Sequence, residues 1–243
     1  MLRKVISTEI LKLRRSHIII VLMILPIISI IIGSANYYFN QSILQKQWFS
    51  LWSQVSLFYS EFFLPVLIAI CCSYICRLEH LNKNWNKVMT APISASNVFI
   101  AKLIVTGLII LVLQIFFLAL YFCAGKLLGL SSPFPSVIFT WFLKGCLSCI
   151  TITSLQLLLS MRIKSFAAPI GISLCGVFIG LGMYVTKIGM LFPYSLLTIG
   201  MSALSGENLS LHDNILFFTN NIIFIILFSL IGIYRLKKVD INT

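Results

Sequence analysis

Six apolar stretches, each long enough to cross a bilayer, recur along this chain of 243 residues. A helix needs about 20 mostly apolar residues to span the hydrocarbon core. Residues 18–38, 55–76, 98–123, 137–159, 166–185 and 215–234 meet that length. Inside a bilayer the backbone N–H and C=O groups find no water, so each stretch must satisfy them within itself, as a helix does. The predicted fold is therefore an all-α integral membrane protein with six transmembrane helices. Composition agrees: 59% of residues are hydrophobic and 10% are charged, against about 25% charged in a soluble domain. The spans consume most of residues 1–243, which leaves a single transmembrane domain and no room for a soluble one. The first stretch is longer than the apolar core of a signal peptide, about 7–15 residues. It is expected to remain as a span, although Gly33-Ser34-Ala35 would be a permissible cleavage site.

The net charge of +12 would suit a nucleic-acid partner if the basic residues formed a patch. They lie beside the spans instead. Arg3, Lys4, Lys12, Arg14 and Arg15 precede the first span, and Arg77, Lys83, Lys87 and Lys102 bracket the second loop. Arg162 and Lys164 lie in the fourth loop; Arg235, Lys237 and Lys238 lie in the tail. These fourteen fall on one side, against Lys46, Lys126 and Lys187 on the other, with Lys144 inside the fourth stretch. Such a bias places the richer side, and with it both termini, in the cytoplasm. The basic balance is a record of topology, and a nucleic-acid partner is set aside.

Two cytoplasmic pieces stand out. In the N-terminal segment, Leu2, Val5, Ile6, Ile10 and Leu13 share one helical face, and Glu9 falls in the middle of it. A carboxylate there is costly without a cation. A basic group of the second loop, Lys83 or Lys87, or one from a partner, would supply it; otherwise Glu9 snorkels to water. In the second loop, Leu78, Leu81, Trp85 and Val88 recur at three- and four-residue steps, the stripe of a short amphipathic helix. Pro92 ends it, and Ser94 or Ser96 is placed to cap the next helix. A loop this long with its own helix suggests a docking surface; a helix lying on lipid headgroups with Trp85 as anchor is the other reading.

Polar groups inside the spans form a third set. Glu61 and Lys144 enter from the same outer side to roughly 9–11 Å, at ~1.5 Å per residue. Equal depth and opposite sign predict an ion pair, either structural or lining a substrate route, with separate snorkelling as the alternative. Gln114, Gln156, Asn220 and Asn221 are expected to hydrogen-bond between helices. Gly176 and Gly180 have the spacing that lets two helices approach closely, in the same chain or another. The outer loop 186–214 is too apolar to float free, and Pro193 breaks it, so a re-entrant or interfacial hairpin is expected. The seven cysteines lie in or at the ends of spans, and Cys146 and Cys149 read as small buried hydrophobes despite their CxxC spacing.

Catalytic chemistry has little to stand on. His17, His80 and His212 are scattered over loops. A phosphate-binding loop needs G-x-x-x-x-G-K-(S/T). Gly125-Lys126 is followed by Leu127, and Leu120 holds the first glycine position. The chain is thus not expected to be an enzyme or to bind a metal or cofactor.

The run Glu9, Lys12, Leu13, Arg14, Arg15, Ser16 before the first span, the run Asn84, Trp85, Val88, Pro92, Ile93, Ser94 in the second loop, and Lys102 at the start of the third span together resemble the permease subunits of type-2 ABC exporters. The length and six spans are similar to the subgroup that gives bacteria immunity to lantibiotics. The resemblance implies that Glu9, Lys12 and Arg14 belong to a connecting helix. It implies that Leu78–Ala91 is a coupling helix, with Glu79, Lys83, Trp85, Lys87 and Pro92 coupling to an ABC ATPase dimer. ATP and Mg would then be held by that ATPase. A second permease, homologous or identical, would meet the first and fifth spans, where Gly176 and Gly180 lie. The substrate would be an antimicrobial peptide taken from the membrane of a bacterium. Export of another lipophilic drug, lipid or cation, or a non-transporting sensor or scaffold, are the rival readings.

Overall fold

The computed structural model describes residues 1–14, 16–81, 85, 92–206 and 208–238, with Arg14 and Lys238 described by backbone alone. It is all-helical: 82% helix, with no strand among the described residues. The helices are α1 Leu2–Arg14, α2 Ile18–Phe39, α3 Trp48–Ser56, α4 Leu64–His80, α5 Ala95–Leu127, α6 Val137–Arg162, α7 Ala167–Val185, α8 Pro193–Gly200 and α9 Leu211–Lys238. A π-helical segment, Leu57–Phe63, joins α3 to α4, so that Trp48–His80 forms one continuous candidate span. With α2, α5, α6, α7 and α9 this makes six helices long and apolar enough to cross a membrane.

The π segment has a local cause. Pro65, in the first turn of α4, has no N–H to give to the carbonyl of Glu61 one turn earlier. The ladder shifts to wider bonds there, the geometry of a π-bulge. At the start of α5, Ser94 is the N-cap, its hydroxyl accepting the Asn97 N–H at 3.3 Å.

α6 is the hub. It packs against α4, α9, α8 and α5. Among the six spans it is the least apolar, yet 56% of its most apolar window is buried, against 17% for α9. A central helix can carry Ser148, Thr151, Thr153, Ser154, Gln156 and Ser160 because other helices, not lipid, surround them. The lipid-facing helices α2, α7 and α9 expose Ile, Leu and Phe instead.

Close approach between helices relies on glycine. At Gly33 of α2, an added Cβ would lie 2.6 Å from the Val55 Cα of α3. Ser29, one turn before, donates its hydroxyl to the Val55 carbonyl at 2.8 Å. Gly107 of α5, by contrast, has nothing within 4 Å. Gly33→Leu is therefore expected to destabilise the bundle by about 1–3 kcal/mol, the usual cost of overpacking, whereas Gly107→Leu leaves stability unchanged or higher. Thermal unfolding of both variants in neutral detergent checks the contrast.

Candidate functional site

The charged residues gather at one end of the bundle. α1 places Glu9 and Lys12 one turn apart on a single face, and Lys12 Nζ reaches Glu9 Oε1 at 2.7 Å. Glu79 comes from the end of α4 and Lys102 from the early turns of α5. Lys102 Nζ donates to Glu9 Oε2 at 3.0 Å and to Glu79 Oε1 at 3.1 Å. Lys12 Nζ donates to Glu79 as well. The result is a closed quartet of two carboxylates and two ammonium groups, in which each acid accepts from both lysines.

Three of its four members are buried. Lys102 is 0% exposed, Glu79 2% and Glu9 4%. Bare charges at such depth would be costly, and only mutual pairing with good geometry offsets the lost hydration. The loop side is sealed by Trp85, which is also 0% exposed. The Lys102 ammonium lies 5.8 Å from its ring centroid, within cation–π range. The Trp85 indole N–H donates to His80 Nδ1 at 3.2 Å. His80 Nε2 faces the Ser160 carbonyl of α6 at 3.0 Å, which assigns its proton to Nε2. One polar chain thus ties α1, the ends of α4 and α6, the start of α5 and the Trp85 position of the loop.

Glu9 finds its cations in Lys12 and Lys102. Lys83 and Lys87, expected to supply one, lie outside the described residues, as does most of the predicted Leu78–Ala91 helix. Leu78, Glu79 and His80 belong to α4 instead. Glu79, expected among the ATPase-coupling residues, is turned inward and spends its carboxylate on the two lysines. Pro92 lies just before the α5 cap, and Arg14 closes α1.

Glu61 and Lys144 do not pair. No ion pair joins them among the described residues. The reason is α8, which packs between their helices. The segment Leu57–Phe63 that carries Glu61 packs against α8, while the Lys144 backbone carbonyl abuts Gly200 at the end of the same helix. Equal depth in the sequence did not mean a shared azimuth. Gly176 and Gly180 are filled from within the chain: a Cβ at Gly176 would meet the Tyr194 ring at 2.6 Å, and one at Gly180 the Tyr194 Cβ at 3.0 Å. The small-residue pair seats α8 rather than leaving a bare groove for another copy.

The span amides bond across helices or loops. Gln156 donates to the Tyr194 hydroxyl at 2.6 Å, Asn220 to the Met190 carbonyl at 2.8 Å, and Asn221 accepts from Thr151 at 2.6 Å. Gln114 has only sulfur for its donor, Cys149 at 3.4 Å.

A cluster without a sequence expectation closes the opposite end. Trp48, Trp52, Trp141 and Tyr121 are all buried and pack edge to face or tilted. Tyr121 donates to the Trp48 carbonyl at 2.7 Å, and the Trp52 and Trp141 indoles donate to Met201 O and Asn208 Oδ1. Trp48 and Trp52, four residues apart at the start of a span, were the legible signal.

A six-span helical bundle whose N-terminal helix is clamped to its spans by charge defines a multi-pass membrane protein. The family model described as ABC-2 family transporter protein matches residues 5–180, and the chain belongs to that family. It is the membrane component of an ABC transporter, a type that typically leaves catalysis to an ABC ATPase partner. No curated protein matches the chain.

Removing one member of the quartet strands a buried charge. Lys102→Met is expected to cost about 3–5 kcal/mol, while Lys12→Met, at the partly exposed rim, costs less. Chemical denaturation of the purified variants in detergent, followed by circular dichroism, measures the difference.

Proposed function

We propose that this chain is the permease subunit of an ABC exporter that removes lantibiotic-type antimicrobial peptides from the membrane of a bacterium. The single observation behind the mechanism is the buried quartet of Glu9, Lys12, Glu79 and Lys102. It joins the N-terminal helix to the ends of the second and third spans beside Trp85. A push on the Trp85 loop by an ATPase would be passed on to α1, α4 and α5 together, because separating them would expose unpaired charges. This is domain motion of the hinge and rigid-body kind.

In this reading both termini are cytoplasmic, in keeping with the distribution of Lys and Arg. The complete exporter contains an ATPase dimer, which holds ATP and Mg, and a second permease, identical or related. The lantibiotic assignment rests on the similarity of length and span number to the immunity permeases.

The test is co-purification. With a tag after Thr243, native membranes are solubilised in mild detergent and the bound proteins identified. The expected result is an ABC ATPase and a second permease, with the ATPase lost when Trp85 and Lys87 are both changed to Ala. Absence of any ATPase from a stable, well-expressed preparation would overturn the exporter reading. Survival of cells against lantibiotics of different charge then decides the substrate.

A further inference from the structure

A crevice opens between α5 and α6 halfway along both helices. It has a volume of about 320 Å³ and is lined by residues between Leu103 and Gln114 of α5 and between Cys146 and Thr153 of α6. Gly107 makes room for it: an added Cβ there would meet nothing within 4 Å. Ile104, Leu108, Leu111 and Ile150 border the crevice and are exposed on the side of two spans. The mouth therefore faces lipid. No charged side chain is among the described residues that line it.

One polar group in this lining is unmet. Gln114 borders the crevice and is 0% exposed. Its amide nitrogen is spent on sulfur, 3.4 Å from Cys149 Sγ and 4.0 Å from Met201 Sδ. A thioether only accepts, which fixes the nitrogen on that side. The amide oxygen has no hydrogen-bond partner among the described residues. The nearby Thr153 hydroxyl does not supply one, because it donates to the Cys149 carbonyl at 2.7 Å. A buried carbonyl without a donor loses its hydration with no return.

The lining selects the occupant. A charged ligand would find no counter-charge, and a bare charge inside a span is expensive. An amide would bring a carbonyl of its own, for which the Gln114 nitrogen is already engaged. Small-molecule pockets begin at about 300 Å³, so the volume suits a compact molecule and not a two-chain lipid. A lipid's polar group also stays at the interface, whereas Gln114 lies in the middle of α5. We propose that this crevice binds a small, uncharged lipophilic alcohol or phenol dissolved in the bilayer, whose O–H donates to Gln114 Oε1. The apolar walls take the body of the molecule, and Gly107 admits it. The site does not rest on the export reading, since binding requires neither ATPase nor transport.

The test uses the purified full chain in phosphatidylcholine nanodiscs. The probe is a trifluoromethyl-diazirine benzyl alcohol, and its methyl ether is the counterpart that cannot donate. Both are brought to equal concentration in the membrane and photolysed, and the adducts are located by peptide mass spectrometry. Labelling of the α5 and α6 walls is expected to favour the alcohol by about fivefold, the worth of one neutral hydrogen bond, and to fall when plain benzyl alcohol is added in excess. Q114M, which keeps the length of the side chain and removes the acceptor, is expected to abolish the preference. G107L, which fills the crevice and leaves Gln114 in place, is expected to abolish wall labelling by both probes while lipid-facing α9 is still labelled. Excess dioleoylglycerol, whose hydroxyl stays at the interface, is expected not to compete. Equal wall labelling by alcohol and ether in the native protein, a preference that survives Q114M, or wall labelling that survives G107L would overturn the proposal. Displacement of the probe by dioleoylglycerol would overturn it too, by assigning the crevice to a lipid. Should Q114M fail to fold, the alcohol-to-ether ratio at the native walls against that at α9 decides in its place, and equal ratios would sink the role of Gln114.

Discussion

Inside a bilayer nothing drives apolar helices together for being apolar, because lipid tails are as good a solvent as leucine. Association must come from close packing and from polar groups that find partners. The arrangement of this chain follows from that constraint. The helix richest in Ser, Thr and Gln, α6, takes the centre, where its hydroxyls are buried. Ser148 donates to the Leu196 carbonyl of α8, Thr151 to Asn221 of α9, and Ser160 faces Ser73 of α4. Glycines appear where a neighbour leaves no room for a side chain, as at Gly33 against the Val55 backbone and Gly232 against the Phe99 ring. The helices with the least buried surface, α2, α7 and α9, lie at the periphery.

The spans were legible because length and hydropathy are properties of a continuous segment. Each predicted stretch coincides with a helix to within a residue, although the second and third helices run further, Trp48–His80 and Ala95–Leu127, than their apolar cores. The cap at Ser94 was legible for the same reason, since a cap is local. Three features were not. The Glu9–Lys102 contact joins residues 93 apart in sequence, and nothing in the local pattern distinguishes Lys102 from any lysine at a span edge. The separation of Glu61 from Lys144 depends on azimuth, which depth along a helix does not carry. The helix α8 has eight residues, too few to show a period, and its burial depends on Gly176 and Gly180 elsewhere in the chain.

The two ends of the bundle are held by different physics. The end away from the quartet is closed by aromatic rings whose polar atoms reach backbone carbonyls or an amide. Dispersion and area dominate there, and small displacements of large rings change the contact gradually. The other end is held by charge at low exposure, where the interaction is steep with distance and the cost of an unpaired group is high. The first kind of contact tolerates sliding; the second resists separation.

That asymmetry bears on how such a bundle would move. A force applied near Trp85 meets a quartet that cannot open without stranding a lysine or a carboxylate, so α1, α4 and α5 are constrained to travel as one piece. His80 carries the link onward to the Ser160 carbonyl of α6 through a single hydrogen bond, weaker than the ionic contacts and more easily exchanged. Yield is therefore expected between the linked trio and α6, and along the π segment, where Pro65 has already removed one rung of the ladder. Glu61 lies in that segment, which packs against α8. A displacement of α4 that begins at the charged end would reach α8 through that segment.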